Sequence, residues 1–165
     1  MTLVRGSRLG ALLLGLMASS SAFSGANAPA VPYPEGYRRW AHVKSQVIGP
    51  ESAFFGTGGG IHHIYANDAA MTGFEARRFP DGAILVFDLL EARTKDGITV
   101  EGARQRLDVM IKDAKRFPDS GGWGFERFVG DSKTERGLTE EHRALCFECH
   151  SRRKEEDFVF SEYRR

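Results

Sequence analysis

The stretch RQRLDVMIKD (104–113) sets Leu107, Val109 and Ile111 against Arg106, Asp108 and Lys112. Alternation with period two puts the two sets on opposite faces of a half-buried strand. GGWGFERFVG (121–130) repeats the signal, with Trp123, Phe125 and Arg127 on one side and Phe128 on the other. AILVFDLLEA (83–92) is a long apolar, β-rich run and predicts a third strand. IHHIYA (61–66) follows a glycine run and predicts a fourth; there His62 and Ile64 share one face, and His63 and Tyr65 the other.

The period changes elsewhere. Tyr37, Trp40, Ala41, Lys44 and Val47 recur at helical spacing and predict a helix over about 35–45. NDAAMTGF reads as a short helix capped by Asn67 or Asp68. LTEEHRALCFECH (138–150) opens on Thr139 as a cap and should be helical into its cysteines. Between these lie an extended Pro-rich lead-in (29–34), a glycine-rich loop (49–60), and a turn at FPDG (79–82) where Pro80 fixes φ and Gly82 permits positive φ. DFVFSEY (157–163) is expected to pack back on the domain. The sum is an α+β domain: a mostly antiparallel sheet of about four or five strands, with helices at its two ends.

Residues 1–28 stand apart. Arg5 and Arg8 precede the apolar run LGALLLGLMASSSAF, and Ala26-Asn27-Ala28 has the small-x-small form of a cleavage site. This is the layout of a secretory signal peptide, with an uncleaved anchor as the alternative. The domain is then 29–165, one unit exported to the periplasm. Without the leader's two arginines, 21 basic residues face 22 acidic ones. Such a balance gives no reason to expect nucleic acid or an anionic membrane surface as partner.

Both cysteines fall in CFECH (146–150), beside one of the five histidines. C-x-x-C-H is the attachment signature of c-type haem. Cys146 and Cys149 can reach the two vinyl groups of one haem, and His150 then presents its imidazole to the iron. One motif implies one covalently attached haem, and such attachment outside the cytoplasm agrees with a leader. Three alternatives are weaker. Zinc needs four ligands and finds three, unless His142 is the fourth. A redox dithiol would be expected near a βαβ unit at the chain start. A Cys146–Cys149 disulfide would close too small a loop to stabilise much.

The motif lies at the far end of a sheet-rich domain, unlike the small all-helical electron carriers. Taken with EGYRRWAHVKS, GGIHHIYAND, FPDGAILVFDLL, LDVMIKDAKRF, GGWGF and DFVFSEY, it resembles the cytochrome P-460 family, whose relatives include the gas-binding cytochromes c′-beta. The likeness runs from about Tyr33 to Tyr163. It implies a sheet-dominated homodimer with haem c and an open or weakly occupied distal side. In P-460 proper, a lysine after the F-x-D-G turn is cross-linked to the haem, and that bond goes with hydroxylamine oxidation. Here Phe87 aligns with it. No lysine occurs between Lys44 and Lys95, and Lys95 lies about eight residues, ~27 Å, further along the strand. A phenylalanine there resembles the c′-beta branch, where the haem is five-coordinate under an apolar distal face.

The distal candidates are therefore Phe87, His62, and Phe54 or Phe55 as a second apolar lid. The family places a polar residue where His62 aligns. Trp123 and Phe125 are expected to wall the pocket or the dimer interface, and Arg38 and Arg127 to meet the propionates. Three functions follow. The first is binding of NO or CO in nitrosative stress, sensing or limited redox chemistry. The second is oxidation of hydroxylamine to NO or N2O. The third is electron transfer, with a small redox protein as partner, or peroxidase activity, with His62 or His63 as sixth ligand.

Overall fold

The computed structural model describes residues 30–164, so the leader expected over 1–28 lies outside the described residues. Five strands form one sheet in chain order: β1 (Ala41–Ile48), β2 (Gly60–Ala66), β3 (Ile84–Lys95), β4 (Ile98–Lys112) and β5 (Trp123–Val129). Every neighbouring pair is antiparallel. Three helices accompany them: α1 (Phe55–Gly58), α2 (Asp68–Ala76) and α3 (Glu140–His150). The α+β expectation holds, and β2 to β5 fall on the four segments expected to be strands.

Two elements differ: α1 (Phe55–Gly58) is a short helix inside the glycine-rich stretch expected as a loop, and the first helix is replaced. The helix expected over 35–45 is a single 3-10 turn, Tyr37–Arg39, followed by β1. Two of the residues that suggested a helical stripe, Lys44 and Val47, are exposed, Val47 to 61%. The segment instead satisfies its backbone by pairing with β2, from Ala41 opposite Ala66 to Ile48 opposite Gly60. Ladder pairing beside a partner strand outweighs a weak helical periodicity. β3 and β4 also run longer than expected, joined by a tight turn with Asp96 at φ 51° and Gly97 at φ 77°. Asp-Gly between two strands is a strong hairpin signal that favours positive φ at both positions.

Register assigns each side chain to a face. Ile64 pairs with Phe87, Phe87 with Asp108, and Asp108 with Arg127, so these four form a row on one side. Lys44 opposite Ile64 extends the row to β1. A parallel row holds Gln46, His62, Leu89 and Arg106. The other face carries Tyr65, Val86, Asp88, Leu107, Val109 and Phe128. It packs with Val31, Tyr37 and Trp40 of the lead-in. There the buried Asp88 accepts hydrogen bonds from Tyr37 (2.7 Å), Arg38 (2.9 Å) and Arg104 (2.7 Å).

The polar face of β4 thus does not meet open solvent. Arg106 and Asp108 point toward the space beneath α3. α3 is capped by Thr139, whose hydroxyl accepts from the His142 N–H. It is tied to the sheet by Arg143, which donates to Glu126 at 2.9 Å. Burial alone would raise the Glu126 pKa, but the Arg127 N–H, Arg143 and Arg136 outweigh it and hold the carboxyl below its usual range.

Candidate haem site

Helical spacing puts Cys146, Cys149 and His150 on one side of α3, since residues three and four apart are neighbours. That side faces a cavity of about 1030 Å³ between α3 and the sheet. Its walls include Ile64, Leu85, Phe87, Met110 and Phe125 from the sheet and Leu145 from the helix. It is large and mostly apolar, with polar groups set among the apolar ones, which is the form of a cofactor pocket. Both cysteines are free thiols, and burial raises the Cys146 pKa.

His150 is held in a defined orientation. Its ring lies between Phe125 and Phe160, with centroids 5.2 and 5.0 Å away. Its Nδ1 is 2.7 Å from the carbonyl oxygen of Phe158. The carbonyl can only accept, so Nδ1 carries the proton and Nε2 keeps its lone pair. Burial pushes the imidazole pKa down, against the opposing pull of the Phe158 bond and Asp108. A neutral imidazole with one nitrogen tethered and the other free is the form in which histidine ligates metal.

The carbonyl is aimed by unusual backbone. Asp157 and Phe158 both have positive φ, 52° and 67°. Such a pair persists only where the surroundings enforce it. Asp157 supplies that enforcement: its carboxylate accepts from Lys112 at 2.7 Å and from the Phe79 N–H at 2.8 Å, and its carbonyl accepts from Trp123 Nε1 at 2.9 Å. Trp123 is fully buried and serves this support rather than forming the pocket wall. Phe125 is on the wall, as expected.

On the sheet side, Phe87 and His62 meet edge to face, their centroids 4.3 Å apart. The His62 Nε2 donates to Gln46 Oε1 at 3.0 Å, and its Nδ1 is buried without a partner. Burial first, then the nearby charges of His63, Arg106 and Lys44, lowers the His62 pKa to about 4. Beside them, the Asp108 carboxylate accepts from Arg127 Nε at 2.6 Å and Arg106 Nε at 2.9 Å.

The remaining expected residues separate. Phe54 stands at the cavity rim, 71% exposed. Phe55 lines a different hollow, with Gly59 and Gln105, so it is no lid for this cavity. His63 faces away and bonds Ser45 (2.6 Å) and Glu101 (2.7 Å), which removes it as a sixth ligand. Arg38 is occupied on that same far face by Asp88 and cannot meet a group in the cavity. Arg127 does line it. His142 also borders the cavity, but among the described residues no group of three or more His, Cys, Asp or Glu is arranged to hold a bare metal ion. Sequence reasoning missed Gln46, Lys44, Arg106, Asp108 and Phe160. The first two lie on β1, whose faces show only through its pairing with β2 and which the helical reading of that segment hid.

The residues present fit a haem: two thiols and a tethered imidazole on one helix face, opposite sheet residues that include Ile64, Leu85, Phe87 and Met110. Residues 34–161 match the family model described as Cytochrome P460. No curated protein matches the sequence. The family match spans most of the chain and carries haem binding with it: this chain belongs to the cytochrome P460 family.

Proposed function

We propose that the chain is an exported, periplasmic cytochrome that carries one covalent haem c and binds NO or a similar small ligand at an open, apolar distal site. The observation that supports this most is the place of Phe87. It lies on the cavity wall opposite the α3 face that carries the anchor, and in the resemblance it aligns with the family's cross-linking lysine. Phe87 offers no bond to a polar ligand or to water, which would lose hydration without compensation. A neutral diatomic loses little.

Cys146 and Cys149 would hold the haem by thioethers, each S–H adding across one vinyl group. His150 Nε2 would be the axial ligand, oriented by the Phe158 carbonyl. The bound haem supplies an iron that takes up small ligands and changes oxidation state. The chain's part would be to tether it through Cys146 and Cys149, hold its iron through His150, and keep water from the Phe87 side of the cavity. Homodimer formation belongs to the same reading. The projecting β3–β4 hairpin exposes Ile98 and Val100 to 67% and 54%, apolar surface suited to a second copy.

The test is optical. Protein matured in a periplasm should give a ferrous spectrum that shifts on adding CO or NO. A six-coordinate low-spin spectrum that ignores both gases rules out the open site.

A second reading, hydroxylamine oxidation, draws on Lys44. It lies in the same row as Phe87, two strands away, about 10 Å by strand spacing. The lysine nearest the family's cross-link position is therefore on β1 rather than at Lys95. A red-shifted ferrous Soret band with acceptor reduction by hydroxylamine would favour this reading; an ordinary haem c spectrum counts against it.

A further inference from the structure

We propose that Ser45, His63 and Glu101 are a nucleophile, its general base and a positioning carboxylate, forming a second site that takes acyl groups from small activated esters. The site lies on the sheet face away from the cavity and is independent of the haem reading, since none of the three residues lines the cavity.

Three observations carry it. First, the side chains are joined in series. Ser45 Oγ is 2.6 Å from His63 Nδ1, and His63 Nε2 is 2.7 Å from Glu101 Oε1. Bonds between side chains are a small share of protein hydrogen bonds, and a hydroxyl, an imidazole and a carboxylate in this order are what activates a serine. Ser45 is exposed on the edge strand β1, so a reagent can reach it. Second, the protons run one way while His63 is neutral. The Glu101 carboxylate only accepts, so His63 Nε2 donates and Nδ1 keeps its lone pair. Nδ1 then accepts from the Ser45 hydroxyl. That hydroxyl has no second proton, so Oγ accepts from His42 Nε2, 2.8 Å away. His42 is thus a donor beside the attacking oxygen, near where an oxyanion develops. Third, the fold brings Glu101 in from a distance. His63 pairs with Asp88 and Asp88 with Leu107, six residues beyond Glu101 on β4. A flat strand would leave Glu101 about 20 Å away along the sheet. Register shifts at Leu89–Leu90 and Leu90–Ala92 bend the β3–β4 hairpin back over this face, as bulges do when they re-aim a side chain. Next to Glu101, Gly102 lies so close to Arg93 and Glu91 that a Cβ would come within 2.6 Å of Arg93 Nε.

The step needs no co-reactant but water. Ser45 Oγ bonds to the ester carbonyl carbon, and its proton passes to His63 Nδ1. The bond to the alcohol oxygen then breaks, and His63 returns the proton to that oxygen. Water repeats the sequence on the acyl-serine and frees the acid.

The test uses the mature full-length protein with two probes, a fluorophosphonate and p-nitrophenyl acetate. The first transfers its phosphonyl group to an activated serine and releases fluoride; the second releases p-nitrophenol as it acylates. Peptide mapping by mass should place both adducts on Ser45, and Ser45→Ala should remove them. Loss of the general base in His63→Gln should slow labelling about 100-fold or more. Glu101→Gln should slow it by at least about tenfold, as loss of an orienting carboxylate does. 15N NMR in mildly alkaline buffer, on the ferrous–CO form if haem is bound, separates positioning from bulk structure. Wild-type His63 should be protonated on Nε2 and bare on Nδ1, and Glu101→Gln, whose amide can also donate, should mix the two tautomers. Labelling of Ser45 no faster than of the protein's other serines, or a proton on Nδ1 of wild-type His63, overturns the proposal, and both are read without any variant. So does an undiminished rate in folded His63→Gln.

Discussion

The Nδ1 of His150 donates to the carbonyl of Phe158 across 2.7 Å, and this contact links α3 to the chain's tail. The carbonyl points correctly because Asp157 and Phe158 sit in left-handed backbone, which Lys112 and Trp123 stabilise through Asp157. The geometry of the candidate axial ligand therefore depends on a carboxylate seven residues away that lines no part of the cavity.

Asp157→Ala should be costly out of proportion to its size. It leaves the Lys112 ammonium, 11% exposed, without its counter-ion, and leaves the Phe79 N–H unpaired. Removing one member of such a pair costs on the order of 3 kcal/mol or more. Urea unfolding checks the stability. The haem spectrum checks the second consequence, heterogeneous axial ligation as the Phe158 carbonyl loses its aim. A variant that loses stability while keeping a wild-type spectrum would separate the tail from the ligand.

Each thiol should supply one of two thioethers. Wild-type protein matured with a periplasmic haem-attachment system should gain the mass of one haem after denaturation. Cys146→Ser and Cys149→Ser should each leave one vinyl group free and shift the pyridine–haem absorption toward that of a single thioether. His150→Ala should reduce holoprotein yield. A full haem mass retained in the Cys146→Ser, Cys149→Ser double variant would exclude the thioether anchor.

How much of this was readable in advance follows from where each signal resides. CFECH is a local signal, and α3 displays it as its spacing requires. The faces of β2, β4 and β5 were readable because alternation with period two is itself a statement about geometry. What alternation cannot say is what each face meets. Arg106 and Asp108 read as a solvated side of β4, yet they face the cavity, because α3 covers that side of the sheet. β1 was misread for a related reason: an edge strand with one buried residue, Val43, carries little periodicity of its own and is defined by its partner. The Gln46–His62 contact depends on that pairing and was out of reach without it.

Phe87→Ala should open the distal side. The ring is part-buried against His62 and the core, so its loss should cost less than the 3–5 kcal/mol of a fully buried phenylalanine, about 1–3 kcal/mol. The enlarged space lies next to the unpartnered His62 nitrogen and is polar enough to hold water. The ferric spectrum should therefore move toward six-coordinate high-spin, and CO should bind faster in stopped flow. Unchanged ferric and CO behaviour would place Phe87 away from the ligand.

Stability should fall on acidification in a window set by His62. Its folded pKa is lowered to about 4, against an ordinary 6.5. Above pH 6.5 the ring is neutral in both states and contributes no pH dependence. Between 6.5 and 4 the unfolded chain takes up a proton that the folded one refuses, so unfolding gains free energy as pH falls. The slope approaches 1.4 kcal/mol per pH unit, about 3 kcal/mol in all, and flattens below 4 where both states are protonated. His150 titrates in the same direction when it is not ligating iron, so the comparison must isolate His62. The difference in unfolding free energy between wild type and His62→Gln, followed from pH 7 to pH 4, does so. It should shrink steadily as pH falls, the variant losing less. A constant difference across that range would mean that His62 titrates normally and that its burial beside Phe87 leaves the charged form unhindered.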